Sequence, residues 1–118
     1  MYKIGDVVKV AAYVESGYFH AEVSAPTFDK TGVVIVGSGE ERGLARFEGE
    51  MVGIFLGVSH LITGRRDESS DDYGAYQCQL RKVKRTRVFM IAEMRESTGI
   101  RYLKPVACLP DDVSEAGQ

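Results

Sequence analysis

The chain has 118 residues, of which 44% are hydrophobic and 27% charged. This length and composition fit one globular domain with its own core, and they exclude both a disordered chain and a fold held together by disulfides. No apolar run reaches the roughly 20 residues that a membrane-spanning helix needs, and the N-terminus lacks the basic start and apolar stretch of a secretory signal. We therefore expect a cytoplasmic protein without a membrane partner.

The residues that most often carry metal or redox chemistry are sparse. The chain has two cysteines, Cys78 and Cys108, and two histidines, His20 and His60. The cysteines are too few and too far apart for a disulfide framework or a zinc site, and the carboxylates show no ligand spacing. The sequence predicts two reduced thiols, no metal and no other cofactor.

Alternating apolar residues dominate the first third of the chain. A Gly-Asp pair enters a predicted strand that runs to Val14, with Val8, Val10 and Ala12 on one face. Residues 18–23 form either a short second strand or an irregular crossing. The β-branched run 31–36 predicts a short buried strand, which a glycine-rich loop follows.

The segment 44–62 predicts two strands, 44–48 and 51–62, that meet in a hairpin turn at Gly49. Alternate glycines at 53 and 57 free one face of the second strand for sharp coiling or for close approach of another backbone. His60 lies in phase with the apolar residues of that strand, which predicts a buried, hydrogen-bonded imidazole. The glycine spacing favours a barrel over a flat sheet.

The polar stretch 63–74 predicts a long exposed loop with four carboxylates, which lack the alternation of an EF-hand. Strands at 76–81, 87–94 and 100–103 follow, the last two joined by a glycine-containing loop over 95–99. A helix from about 84 to 97 is the alternative, with Gly99 as its stop signal.

The fold class expected from these elements is all-β, or all-β with one short helix. A single domain occupies residues 1–109, and an acidic, frayed tail occupies residues 110–118.

Three segments resemble the strands of small SH3-like barrels of the KOW type. They are the Gly-Asp entry with alternating valines in 4–10, the Thr-Gly step in 31–36 and the Lys-Pro turn with its short last strand in 104–109. This resemblance implies a closed or partly open antiparallel β-barrel. Barrels of this kind often bind nucleic acid or protein through loops and strand surfaces.

Positive charge is concentrated in residues 81–104, which hold eight basic and two acidic residues, a local balance of +6 in a chain of net charge −2. Such a basic face attracts anionic partners. Its densest part is the run Arg81, Lys82, Lys84, Arg85 and Arg87, which on an exposed strand or hairpin is suited to contact phosphates. The alternative is a solvated hairpin whose cations pair with Asp67, Glu68, Asp71 and Asp72.

Tyr18 and Phe19 follow a glycine at a predicted turn. Exposed rings there are suited to stack on bases or to grip a peptide, whereas packing in the core is the alternative. No nucleophile elbow, phosphate-binding glycine loop or Cys-x-x-Cys motif is present, so we assign no catalytic residue.

The leading hypothesis is a non-enzymatic binding module that presents residues 81–87 to an anionic partner, with nucleic acid first. The alternative is a protein-interaction or assembly subunit, including a homo-oligomer. A small ligand-binding barrel or enzyme is a weaker alternative.

Overall fold

The computed structural model describes residues 1–20, 22–24, 31–70, 73–74 and 76–116. Strands dominate this part of the chain, and it contains no α-helix. The elements are β1 (Val7–Tyr18), β2 (Glu22–Ser24), β3 (Thr31–Val36), β4 (Glu41–Ser70), β5 (Tyr76–Ser97), β6 (Ile100–Cys108), a one-turn 3-10 helix (Pro110–Asp112) and β7 (Val113–Glu115). The all-β prediction is confirmed, and because 84–97 lies within β5 the helical alternative is wrong.

All seven strands pair in one antiparallel sheet with the order β2-β3-β4-β5-β6-β1-β7. β4 also pairs with β1, so β1, β4, β5 and β6 form a ring. Among the described residues β6 closes this ring onto β1 through one pair, Val14 with Ala107. The fold is a small, partly open barrel, as the sequence predicts.

β4 runs for 30 residues because two of its glycines let it bend without ending. A Cβ on Gly53 would lie 2.5 Å from Cγ2 of Ile91, so only glycine permits this close approach to β5. Gly57 has a φ of 129° beside an irregularity in the pairing with β5. The predicted role of these glycines in coiling and close approach is confirmed.

The predicted hairpin turn at Gly49 is wrong. Residues on both sides of it pair with β1, where Met51 lies opposite Val10 and Glu48 lies opposite Ala12. Gly49 and Glu50 therefore share the single position opposite Ala11, which is a β-bulge. A glycine within a strand marks a bulge as readily as a turn.

Aromatic rings fill the main core. The rings of Tyr13 and Phe47 stack with centroids 5.0 Å apart, and Phe55 meets Phe89 edge to face at 5.3 Å. A smaller cluster of Val14, Val88 and Ala107 lies apart from it. The buried members of the main core are Val8, Val10, Tyr13, Ala45, Phe47, Phe55, Phe89, Ile91, Val106, Cys108 and Val113.

Two predictions of burial fail. In β3 the side chains of Val33 and Ile35 are exposed, because the strand lies near the sheet edge and has only the short β2 beyond it. His60 is exposed, not buried, because it shares the outward face of β4 with Leu56 and Val58, which are 43% and 44% exposed. Alternation of apolar residues thus predicts that a segment forms a strand. It does not predict which face of that strand is buried.

The C-terminal segment is folded up to residue 115. Val113 belongs to the core, and β7 pairs with β1. The Arg46 guanidinium on β4 donates two hydrogen bonds to the Asp112 carboxylate, at 3.0 and 2.6 Å. The predicted frayed tail is therefore wrong for 110–115, and residues 117–118 lie outside the described part.

Candidate nucleic-acid interface: a cationic cleft at the base of a β-arm

From His60 onward, β4 and β5 extend beyond the main core as a two-stranded ribbon, which we call the arm (residues 60–70 and 76–87). Residues 63–70 of β4 pair with β5 as far as Ser70 opposite Tyr76. The predicted loop over 63–74 is therefore wrong for 63–70, while 71–72 lie outside the described residues. Polar residues are tolerated in this ribbon because strand pairing needs no apolar side chain where both faces meet water.

A β-bulge interrupts the arm within the basic run. Thr63 pairs with Lys84 and Arg65 with Arg81, so Lys82 and Val83 face the single residue Gly64. Lys82 adopts a φ of 53°, in the left-handed region where a side chain costs free energy. The bulge changes the alternation of β5 and re-aims its cations.

A small cleft of about 140 Å³ opens between the arm base and the β3–β4 hairpin. Four cations and one carboxylate line it: Arg42, Arg65, Lys82, Lys84 and Glu41. The backbone N–H of Arg66 donates a hydrogen bond to the Glu40 carbonyl across the two walls, at 3.3 Å. We call this feature the cationic cleft.

The residues that line the cationic cleft carry four positive charges and one negative charge. A concave surface with an excess of one sign of charge concentrates the field. Of the basic run predicted from the sequence, Lys82 and Lys84 belong to the cleft.

The other members of the basic run lie elsewhere on the arm. Arg81 pairs with Arg65 and donates a hydrogen bond to the Gln79 side chain at 3.5 Å. Arg85 and Arg87 project from the opposite face to Lys84, because successive side chains of a strand alternate. The guanidinium of Arg87 lies 5.3 Å from the centroid of the Phe89 ring.

Tyr18 lies next to a residue that lines the cationic cleft. It is 45% exposed at the end of β1 and is the cross-strand partner of Arg42, which lines the cleft. The Arg66 guanidinium lies 4.7 Å from its ring centroid. Phe19 instead packs partly buried against the main core, so we leave it out of the site.

Two of the acidic residues named as alternative partners for the basic run, Asp67 and Glu68, lie further along the arm than the cleft. The register places Asp67 opposite Gln79 and Glu68 opposite Cys78, past Arg81 towards the arm tip. Asp71 and Asp72 lie outside the described residues.

Sequence reasoning missed Arg42, Arg65 and Arg66. Arg42 lies in the glycine-rich segment after residue 36, which the sequence predicts as a loop, and the Arg65-Arg66 pair lies in the predicted loop 63–74. The available signal was the Arg-Arg pair itself, which stands sixteen residues before the basic run. That separation suits two strands of one hairpin.

Within the described residues no three potential metal ligands lie together. The same part of the chain contains no helix that is long and apolar enough to span a membrane. No family model, curated protein or solved structure matches the chain. The resemblance to SH3-like barrels stays a prediction, and the geometry of the cleft carries the functional argument.

Proposed function

We propose that this protein is a non-enzymatic module that binds the phosphate backbone of nucleic acid in its cationic cleft. The observation that carries the proposal is the convergence of Arg42, Arg65, Lys82 and Lys84 on one concave site. Each wall comes from a different hairpin, so the convergence arises from the fold and not from one run of sequence. Concave cationic sites raise the local concentration of anions.

A polyanion suits this site better than a small ligand. The cleft volume of about 140 Å³ is below the range of about 300–1,000 Å³ that buries a drug-sized molecule. Further cations lie outside the cleft, Arg81 beside Arg65 and Arg85 on the other face of the arm. A chain of phosphates meets such dispersed cations one after another, with affinity that is independent of base sequence.

The test compares two variants with the same change in charge. The cleft variant combines Arg42→Ser, Lys82→Asn and Lys84→Ser, with Asn chosen because it tolerates a positive φ. The control variant combines Lys3→Ser, Lys9→Ser and Arg101→Ser, all at exposed positions. Lys9 lies at the end of β1 away from Tyr18, and Arg101 pairs with β5 away from the arm.

Fluorescence anisotropy with a labelled oligonucleotide at low salt measures the affinity. We expect the cleft variant to lose about tenfold or more and the control variant to stay near the wild type. Equal losses in both variants would show that net charge, not the cleft, binds the nucleic acid. Unchanged affinity in the cleft variant would exclude the site.

A second candidate function is assembly with another copy of the chain. Met94 and Leu103 form a cross-strand pair near the end of the β5–β6 hairpin and are 59% and 58% exposed. Exposed apolar pairs of this kind are typical of interfaces. Light scattering of the wild type and of Met94→Glu tests it: a dimer that the substitution dissociates supports assembly, and a wild-type monomer excludes it.

A further inference from the structure

We infer that the cationic cleft takes single-stranded nucleic acid and that Tyr18 stacks on one of its bases. The inference rests on the proposed function and adds the strandedness of the ligand and a base-binding residue. Three features support it: the size of the cleft, the tyrosine ring next to one of its lining residues and the distribution of charge along the arm.

The cleft is small, with a volume of about 140 Å³. A phosphate group fits a space of this size, whereas a base pair with its two backbones does not, so a duplex would meet the cleft with its backbone alone. The hydrogen bond from Arg66 to the Glu40 carbonyl holds the walls together, so entry of a duplex would require them to separate.

Tyr18 is placed to receive the base of a nucleotide whose phosphate lies in the cleft. Directly opposed residues of an antiparallel pair have Cβ atoms about 5 Å apart, and Tyr18 is directly opposite Arg42. A phosphate on Arg42 thus leaves its own base within reach of the ring. The ring is 45% exposed, and the Arg66 guanidinium lies over one of its faces at 4.7 Å from the centroid, so a base would stack on the other face.

Stacking of this kind requires an unpaired base. In a duplex the faces of the bases are covered by their neighbours, whereas a single strand exposes them to aromatic side chains. Every base has a π-face, so the contact tolerates any sequence.

The charge pattern of the arm argues against the main alternative, insertion of the ribbon into the major groove of duplex DNA. A two-stranded ribbon fits that groove. Here the register places Asp67 and Glu68 further along the arm than Arg81. The ribbon is therefore not basic along its whole length, which disfavours insertion between two rows of phosphates.

The experiment measures affinity for three labelled probes of equal length: a single-stranded deoxyribonucleotide, the same sequence as ribonucleotide, and a blunt DNA duplex. The proteins are the wild type, Tyr18→Leu, Tyr18→Phe and the control Tyr73→Leu, which alters a tyrosine that is 97% exposed. The inference is satisfied by binding of either single-stranded probe. The ratio of the two affinities shows whether deoxyribose or ribose is preferred.

We expect the wild type to bind a single strand at least about tenfold more tightly than the duplex. Tyr18→Leu should weaken single-strand binding by about 5- to 100-fold, the range for loss of one stacked base, and leave duplex binding unchanged. Tyr18→Phe and Tyr73→Leu should resemble the wild type. In addition, loss of tyrosine fluorescence on binding should be smaller in Tyr18→Leu.

The inference and the proposed function fail in different ways. If the cleft variant loses binding while Tyr18→Leu does not, the phosphate-binding cleft stands and the stacking role is wrong. If the duplex binds as tightly as the single strand, single-strand selectivity is wrong. If no probe binds the wild type, both are wrong.

Discussion

The barrel and the arm are built from the same strands and differ in what covers them. In the barrel, Phe55 on β4 and Ile91 on β5 pack into the core. In the arm, the same two strands expose residues on both faces, as at the successive residues Arg65 and Arg66 of β4. Side chains that pack into the core of the barrel must be apolar. The side chains of the arm that face water can be charged at little cost in free energy.

This contrast separates two kinds of effect. Substitutions in the barrel should change the free energy of unfolding and leave binding intact once the protein is folded. Substitutions of charged residues in the arm should weaken binding and leave the free energy of unfolding nearly unchanged.

Phe47→Ala should have the largest effect on stability. The side chain is buried and stacks on Tyr13, so its removal should lower the free energy of unfolding by about 3–5 kcal/mol. In the arm, Val83→Ala removes a side chain that is 54% exposed and should cost less than about 0.5 kcal/mol. Urea denaturation of both variants checks this, and similar costs would break the distinction between barrel and arm.

Asp112→Ala should have the next largest effect. It removes the bidentate acceptor of the Arg46 guanidinium, whose pKa this pair raises above its ordinary value, chiefly through the hydrogen bonds from Arg46 to Asp112. Hydrogen bonds to charged groups contribute about 1.5–3 kcal/mol, and we expect a loss in the lower part of that range because Arg46 is partly exposed. Chemical denaturation measures it. Glu48→Ala, which removes an exposed partner of Arg46 at 2.9 Å, should cost less than about 1 kcal/mol.

The thiol of Cys108 should make the barrel sensitive to alkali. Burial raises its pKa to about 12, with further contributions from the negative charges of Asp112 and Glu93. The unfolded thiol ionises near its ordinary pKa of about 8.5. The stabilisation is therefore complete below that pH and is lost as pH rises towards the folded pKa, by about 1.4 kcal/mol per pH unit.

Denaturation curves at pH 8, 9 and 10 for the wild type and Cys108→Ala measure this dependence. The wild type should lose stability more steeply than the variant between pH 9 and 10. Parallel losses would show that other groups cause the sensitivity.

Lys82→Gly should have a small effect on stability, and its sign distinguishes a strained residue of the cleft from one that supports the fold. Glycine relieves the positive φ of the bulge at some entropic cost, so we expect a gain of about 0.5–1 kcal/mol. Binding should weaken because one cation of the cleft is lost. If Lys82→Gly is less stable than the wild type, the lysine side chain supports the fold. The positive φ of Lys82 would then need no functional explanation.

The sequence predicts the barrel better than the arm, for a physical reason. The alternating valines in β1 and the glycines at 53 and 57 are requirements of packing, so both features can be recognised in the sequence. The hairpin between β5 and β6 was also predicted, and the structure tightens it to a two-residue turn in which Thr98 and Gly99 have φ of 53° and 76°. These features depend on local backbone chemistry.

The arm lacks that signal. Residues 63–70 are polar and show no apolar alternation, so they resemble a loop in the sequence. The candidate site was therefore predicted only in part. Lys82 and Lys84 stood out because they belong to a dense run of basic residues. Arg42 precedes Lys82 by 40 residues in the sequence and meets these lysines only in the folded chain. Such convergence depends on strand register, which no local pattern specifies.

The most direct test of the cationic cleft is the salt dependence of binding to a single-stranded oligonucleotide. Each neutralised phosphate of a single strand contributes about −0.7 to the slope of log affinity against log salt. We expect a steep negative slope for the wild type. The slope for the cleft variant, which lacks three of the four cations, should be shallower by about 2. Parallel lines for the two proteins would contradict this expectation.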